Sequence, residues 1–149
     1  MSNVYARLVF HVVFSTKDRE PLITEDVQAR LYEYMGGVLR EVGGRLIEIG
    51  GTEDHVHLLV ELRPSMQVAE AVGKVKGASS RWLDQQSWFG GGFSWQRGYA
   101  AFTVSRSLER KVAGYVRGQR SHHRAMSFTA ELEKLLSVHG ISGSSGVKD

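Results

Sequence analysis

The chain has 149 residues, 42% of them hydrophobic and 23% charged, the composition of an ordinary globular domain and not of a disordered or low-complexity chain. It carries a net charge of +3 and contains no cysteine, which excludes disulfides, thiolate nucleophiles and zinc sites built on cysteine. No apolar run approaches the roughly 20 residues that span a bilayer, and residues 1–5 do not open a signal peptide. A cytoplasmic, single-domain protein is expected, with one domain over residues 1–139 and a flexible tail over 140–149.

In chain order, residues 4–15 (VYARLVFHVVFS) are rich in β-branched and aromatic side chains and predict a mostly buried first strand. From Thr24 to Val42, apolar residues recur at intervals of three and four, predicting an amphipathic helix with Thr24 as its N-cap and Gly43-Gly44 as its stop. Arg45–Ile49 and His55–Leu62 read as two antiparallel strands joined by the turn GGTED. Beyond Pro64, the spacing of Val68, Ala71, Val72, Val75, Ala78, Trp82 and Leu83 predicts a second long helix from Met66 to Gln86. Three glycines, Gly90 to Gly92, then break the chain before a fourth strand near Tyr99–Ser105. Two further helices are expected, from Ser107 to about His123 and from Phe128 to Val138. With right-handed crossovers, the order β-α-β-β-α-β gives an α+β fold of ferredoxin-like type, a four-stranded antiparallel sheet with two helices on one face, plus the C-terminal helices.

Charge is unevenly distributed. Between Arg63 and Arg124, eleven Lys or Arg stand against three acids. Such a cationic segment suits a polyanionic partner such as nucleic acid, although solvated helix faces would have the same composition.

Two patterns could carry chemistry. His55 and His57 alternate on a strand, so their rings project from the same face roughly 7 Å apart and could chelate one divalent cation. Two hydrogen-bonded or exposed histidines would look the same, and a metal site needs a third ligand. Tyr115 and Gln119 are four residues apart on a predicted helix and share a face. The amide oxygen could complete a hard-ion site, while a phenol with a free pKa near 10 needs a cation or base to act as a nucleophile. Tyr115 also fits an amphipathic residue at a helix–sheet boundary. Gly114 and Gly118 each weaken the helix by about 1 kcal/mol relative to Ala, which suits either a helix that moves or a glycine face packed on the sheet. His122 and His123, with Arg120 and Arg124, also read as favourable cations near a helix C-terminus.

Together these motifs resemble the single-tyrosine transposases of the HUH superfamily, found in the smallest bacterial insertion sequences, and their REP-associated relatives. The resemblance runs from about His11 to His139. It rests on FSTKDREPLIT, GGTEDHVHLLVEL, VGKVKGASSRWL, WQRGYAAFTVS and YVRGQRSHH. Where relatives commonly carry Gly-Tyr-Gly or Gly-Tyr-Phe on the fourth strand, this chain has Tyr99-Ala100-Ala101.

The resemblance implies that His55, His57 and Gln119 hold Mg²⁺ or Mn²⁺ and that Tyr115 attacks a phosphodiester of single-stranded DNA, forming a 5′-phosphotyrosine. It further implies a homodimer, in which the tyrosine helix of one subunit commonly completes the other's site, and recognition of a DNA hairpin. Lys74, Lys76, Arg81 and Arg97 are the candidates for tracking phosphate, with Trp82, Trp88 and Trp95 as bases' stacking partners or, for Trp82 above all, core residues. Such a protein would be cytoplasmic and associated with the nucleoid when bound to DNA. The alternative is a non-catalytic or domesticated nucleic-acid-binding regulator on the same fold. A metal sensor or store would leave Tyr115 and the basic surface without a purpose.

Overall fold

A computed structural model describes residues 3–86, 90, 92–123 and 126–142. Trp88, Arg124 and the end of the expected tail, 143–149, lie outside the described residues. The first strand, β1 (Leu8–Ser15), is followed by α1 (Glu25–Glu41), the hairpin β2 (Gly44–Gly51) and β3 (His55–Leu62), then α2 (Val68–Asp84) and β4 (Ala100–Thr103). The sheet has the order β2-β3-β1-β4, and its three pairings are antiparallel. This is the expected β-α-β-β-α-β plan. β1 starts four residues later than the apolar run suggests, because residues 4–7 are exposed and the ladder with β3 begins at Leu8↔Leu62.

Alternation along β1 and β3 divides the molecule into two layers. Val12, Phe14, Val56, Leu58, Val60 and Leu62 face α1 and α2, where they pack with Leu31, Met35, Leu39, Val72 and Val75 in the main core. The other face carries His11, Val13, Ser15, His55, His57 and Leu59, all of them buried as well. Strands covered on both sides read as near-continuous apolar runs, which explains why the first strand looks uniformly hydrophobic.

The second face is covered by the C-terminal elements. The helix expected from Ser107 to His123 is observed in pieces: a 3-10 turn at Arg106–Leu108, α3 (Glu109–Arg117) and a short α4 (Gln119–His122). Gly118 closes α3 with φ −88° and ψ 18°, outside the helical region, at the residue least favoured in a helix after proline. The last helix, α5 (Phe128–Val138), has the predicted bounds, and the Ser127 side chain caps it by accepting from Ala130 N.

α3 lies so close to the sheet that a Cβ at Gly50 of β2 would fall 2.0 Å from the carbonyl oxygen of Val116. The close-packed glycine therefore belongs to the strand. A Cβ at Gly114 would meet nothing within 4 Å, so α3 does not present a glycine face to the sheet. The start of α3 is fixed by Glu109, which accepts from Arg7 Nε at 2.7 Å and from Arg7 Nη2 at 2.6 Å. These hydrogen bonds, with the nearby Arg7 charge, hold the Glu109 carboxyl well below the usual carboxylate range.

Gly50→Ala should unseat α3 and lower stability by about 1–3 kcal/mol, read from urea unfolding midpoints. Gly114→Ala, at an open helical position, should be neutral or stabilising by up to about 1 kcal/mol. Equal effects of the two substitutions would contradict this docking of α3.

Candidate active site

His55 and His57 project from β3 toward α3, α4 and α5, and both are 0% exposed. Their outer nitrogens are engaged differently. His55 Nδ1 lies 2.8 Å from Asp54 Oδ1, and Thr52 Oγ1 bridges the pair. In the neutral ring this arrangement directs the Nε2 lone pair inward, because Nδ1–H donates to the carboxylate. His57 Nδ1 lies 2.8 Å from His11 Nε2 on the neighbouring strand, and His57 Nε2 donates to Glu131 Oε1 at 2.9 Å.

Gln119 reaches the same place because the chain turns at Gly118. Its amide nitrogen donates to the carbonyl of Tyr115, which turns Oε1 toward His55 Nε2 at 3.1 Å and His123 Nε2 at 3.0 Å. Tyr115 sits beside the cluster, its ring centroid 5.7 Å from that of His57. Its hydroxyl donates to Glu131 Oε2. All four residues expected from the sequence, His55, His57, Tyr115 and Gln119, thus converge within one chain.

The structure also places here residues that sequence reasoning did not assign to the site. His11 is the partner of His57, Asp54 that of His55, and His123 contacts both Gln119 and Glu131. Glu131 of α5 is 1% exposed and accepts from His57, His123 and Tyr115. One signal for it is present in the sequence: an acid stands on the apolar stripe formed by Phe128, Leu132 and Leu135, where an aliphatic residue is expected.

Burial determines the protonation of the cluster. It pushes the His57 imidazole down to about 4, against the opposing pull of Glu131, and the His11 imidazole down to about 3, aided by His57. Burial, and then the hydrogen bond to Glu131, raises the Tyr115 phenol above its ordinary value. Burial also works against ionisation of Glu131, but the donors His57 and Tyr115 outweigh it and hold the carboxyl below the usual range. At neutral pH the cluster is therefore a carboxylate and neutral rings at His11 and His57, with the proton on the phenol.

This donor set fits a divalent ion. One ring nitrogen each of His55, His57 and His123 and a Glu131 oxygen lie within 4.8 Å of one another, and adjacent ligands of a six-coordinate ion with bonds near 2.1 Å are about 3 Å apart. In the neutral His55 ring, the lone pair and the Gln119 amide oxygen face each other at 3.1 Å, an arrangement that a cation between them would relieve. Imidazole and oxygen donors suit Mg²⁺, Mn²⁺ or a later transition ion.

The basic and aromatic candidates lie elsewhere. Lys74, Arg81 and Arg97 are exposed, with Lys74 and Arg81 lining a groove between α1 and α2 on the sheet's far side. Lys76 donates to the carbonyls of Gln96 and Gly98 at 2.7 and 2.6 Å and sits over the Phe14 ring, tethering the segment before β4. Trp95 is core: it is 8% exposed, donates to Ser79 Oγ at 2.9 Å and packs edge-on against Phe14 and Phe93. Trp82 is half-buried, edge-on against Tyr34. Arg120 pairs with Glu53 and Glu25.

The buried imidazoles make stability depend on pH. An unfolded histidine titrates near 6.5, so below that value the unfolded chain binds protons that His11 and His57 do not bind in the fold. Stability is complete above about pH 6.5 and falls as the pH drops toward 4. In metal-free protein the expected loss is about 2 kcal/mol for each ring at pH 5, and urea midpoints that stay level from pH 7.5 to 5 would contradict the buried neutral pair.

Comparison with known proteins agrees with this architecture. Residues 4–119 match the family model described as Transposase IS200 like. The ISDra2 transposase TnpA of Deinococcus radiodurans is 27% identical over 120 residues, covering 76% of this chain and 84% of that protein. The transposase for insertion sequence element IS200 of Salmonella typhimurium is 30% identical over 121 residues, covering 74% and 75%. Among solved structures, a candidate transposase from Deinococcus radiodurans R1 superposes with a TM-score of 0.61 at 25% identity, over 78% of this chain and 93% of that one. A REP-associated tyrosine transposase bound to a REP hairpin gives a TM-score of 0.62 over 100% and 91%, and at 10% identity it speaks for the fold alone. No helix among the described residues is long and apolar enough to cross a membrane. By the family match over most of its length, and by the fold that accompanies it, the chain belongs to the IS200-like transposases.

Proposed function

We propose that this protein cleaves and rejoins single-stranded DNA in a reaction that depends on Mg²⁺ or Mn²⁺, with Tyr115 as the nucleophile and His55, His57 and Gln119 as metal ligands. The observation that carries the reading is the convergence of these four side chains, which lie as far apart as residues 55 and 119 in sequence, in a single buried cluster. A bound divalent ion would polarise the scissile phosphate and stabilise the charge growing on its nonbridging oxygen.

The residues of the chain divide the remaining work. Tyr115 attacks phosphorus: the bond from its oxygen to phosphorus forms as the bond to the 3′ oxygen breaks, leaving a 5′-phosphotyrosine and a free 3′-hydroxyl. The phenol gives up its proton and the 3′ oxygen gains one, so the step conserves the phosphodiester and can run backward without ATP. The elevated phenol keeps Tyr115 protonated until substrate arrives. His11 and Asp54 orient the two ligand imidazoles from behind.

A hairpin in single-stranded DNA is the proposed substrate, supported by the motif resemblance and by the hairpin held by the REP-associated neighbour of the same fold. Exposed Lys74, Arg81 and Arg97 would track its phosphates. We further propose a homodimer. Tyr115 already reaches the histidines of its own chain, so each subunit would carry a full set of site residues.

Incubation with hairpin-bearing single-stranded DNA and Mn²⁺ should yield a covalent protein–DNA adduct that Tyr115→Phe abolishes. His57→Ala should lose the adduct while binding the same DNA within a few-fold of the original protein. An undiminished adduct in Tyr115→Phe would reject the nucleophile, and DNA binding without any adduct would favour the non-catalytic regulator.

A further inference from the structure

Glu131 is the only fully buried residue of α5, and it is an acid. An isolated buried carboxylate is strongly disfavoured, so its position calls for compensating charge or several donors. Its two oxygens have separate surroundings. Oε1 lies 2.9 Å from His57 Nε2, 2.9 Å from His123 Nε2 and 3.6 Å from His55 Nε2, facing the imidazoles. Oε2 accepts from Tyr115 and lies 3.6 Å from His122 Nε2.

The rest of α5 is attached to the same neighbourhood. Phe128 stacks on the His55 ring at 4.4 Å, Leu132 and Leu136 line a groove with Val13 and Ala100, and His139 at the helix end stacks on Phe102 at 4.1 Å. Phe128, Leu132, Leu135 and Leu136 are only partly buried.

We propose that Glu131 and His123 are additional ligands of the divalent ion held by His55, His57 and Gln119, so that ion binding fastens α5 over the site. This inference rests on the metal site proposed above and extends it. Glu131 would be the one anionic ligand. Binding the ion through Oε1 leaves Oε2 on the Tyr115 phenol, so a single carboxylate would fix the nucleophile relative to the metal. His57 and His123, which now donate to Oε1, would turn their Nε2 lone pairs to the ion. For His57, the proton would sit on Nδ1 and be donated to His11 Nε2, the His11 ring carrying its own proton on Nδ1 instead.

The test is Mn²⁺ binding by calorimetry on the full chain, with no DNA and no activity readout. Glu131→Gln keeps the side chain's shape and should weaken Mn²⁺ binding at least about 10-fold, with His123→Ala weakening it as well. Mn²⁺ affinity of Glu131→Gln within about twofold of the original protein would overturn the inference. If His57→Ala abolishes binding in that same experiment, the underlying metal site stands and only the role of α5 falls. Undiminished binding in both His55→Ala and His57→Ala would remove the metal site itself. Should Glu131→Gln fail to fold, the unsubstituted protein still decides the matter: Mn²⁺ should broaden the amide NMR signals of Ala130 and Leu132 as strongly as that of Val56. Sharp α5 signals alongside a broadened Val56 would overturn it.

Discussion

One sheet face of this protein buries polar groups where an apolar layer would be simpler. His11, His55, His57, Gln119 and Glu131 are all nearly or fully inaccessible to solvent, and each is disfavoured there unless its polar atoms find partners. His11, His57, Gln119 and Glu131 find them in one another and in His123 and Tyr115, and His55 finds one in Asp54. Low dielectric surroundings strengthen such a network when it is complete and penalise each unpaired member. The positions of α3, α4 and α5 follow from that requirement as much as from apolar packing, since α5 buries fully only its acid.

Backbone devices bring the donors together. Gly50 lets α3 approach the sheet to a distance that excludes any side chain, and Gly118 ends the helix one residue before Gln119. A continuous helix would still place Tyr115 and Gln119 on neighbouring turns. The break lets the Gln119 amide brace against the Tyr115 carbonyl and aim its oxygen at His55. The bidentate pair of Arg7 with Glu109 fixes the other end of α3. Tyr115 is therefore held between two restraints while its phenol stays at the edge of the cluster.

Much of this was legible in the sequence, for identifiable reasons. Strand alternation put His55 and His57 on one face, and β3 has the bounds its pattern predicts. Helical periodicity found α1, α2 and α5 to within two residues. Local pattern did not reveal strand register, so His11 gave no sign that it lies diagonal to His57 across β1 and β3. The break at Gly118 was missed because residues on either side of it keep a helical spacing. Glu131 was overlooked although its place on an apolar stripe was an anomaly, because one acid in a short amphipathic helix has a ready solvent-facing explanation. Lys76, singled out for its charge, is tied to two carbonyls that only the tertiary fold brings near.

The most direct measurement is anomalous diffraction from crystals of the protein soaked in Mn²⁺. The account predicts a single strong peak enclosed by His55 Nε2, His57 Nε2 and the Gln119 amide oxygen, with the Tyr115 hydroxyl adjacent. Well-ordered crystals in which these side chains keep their places and no peak appears among them at saturating Mn²⁺ would contradict it.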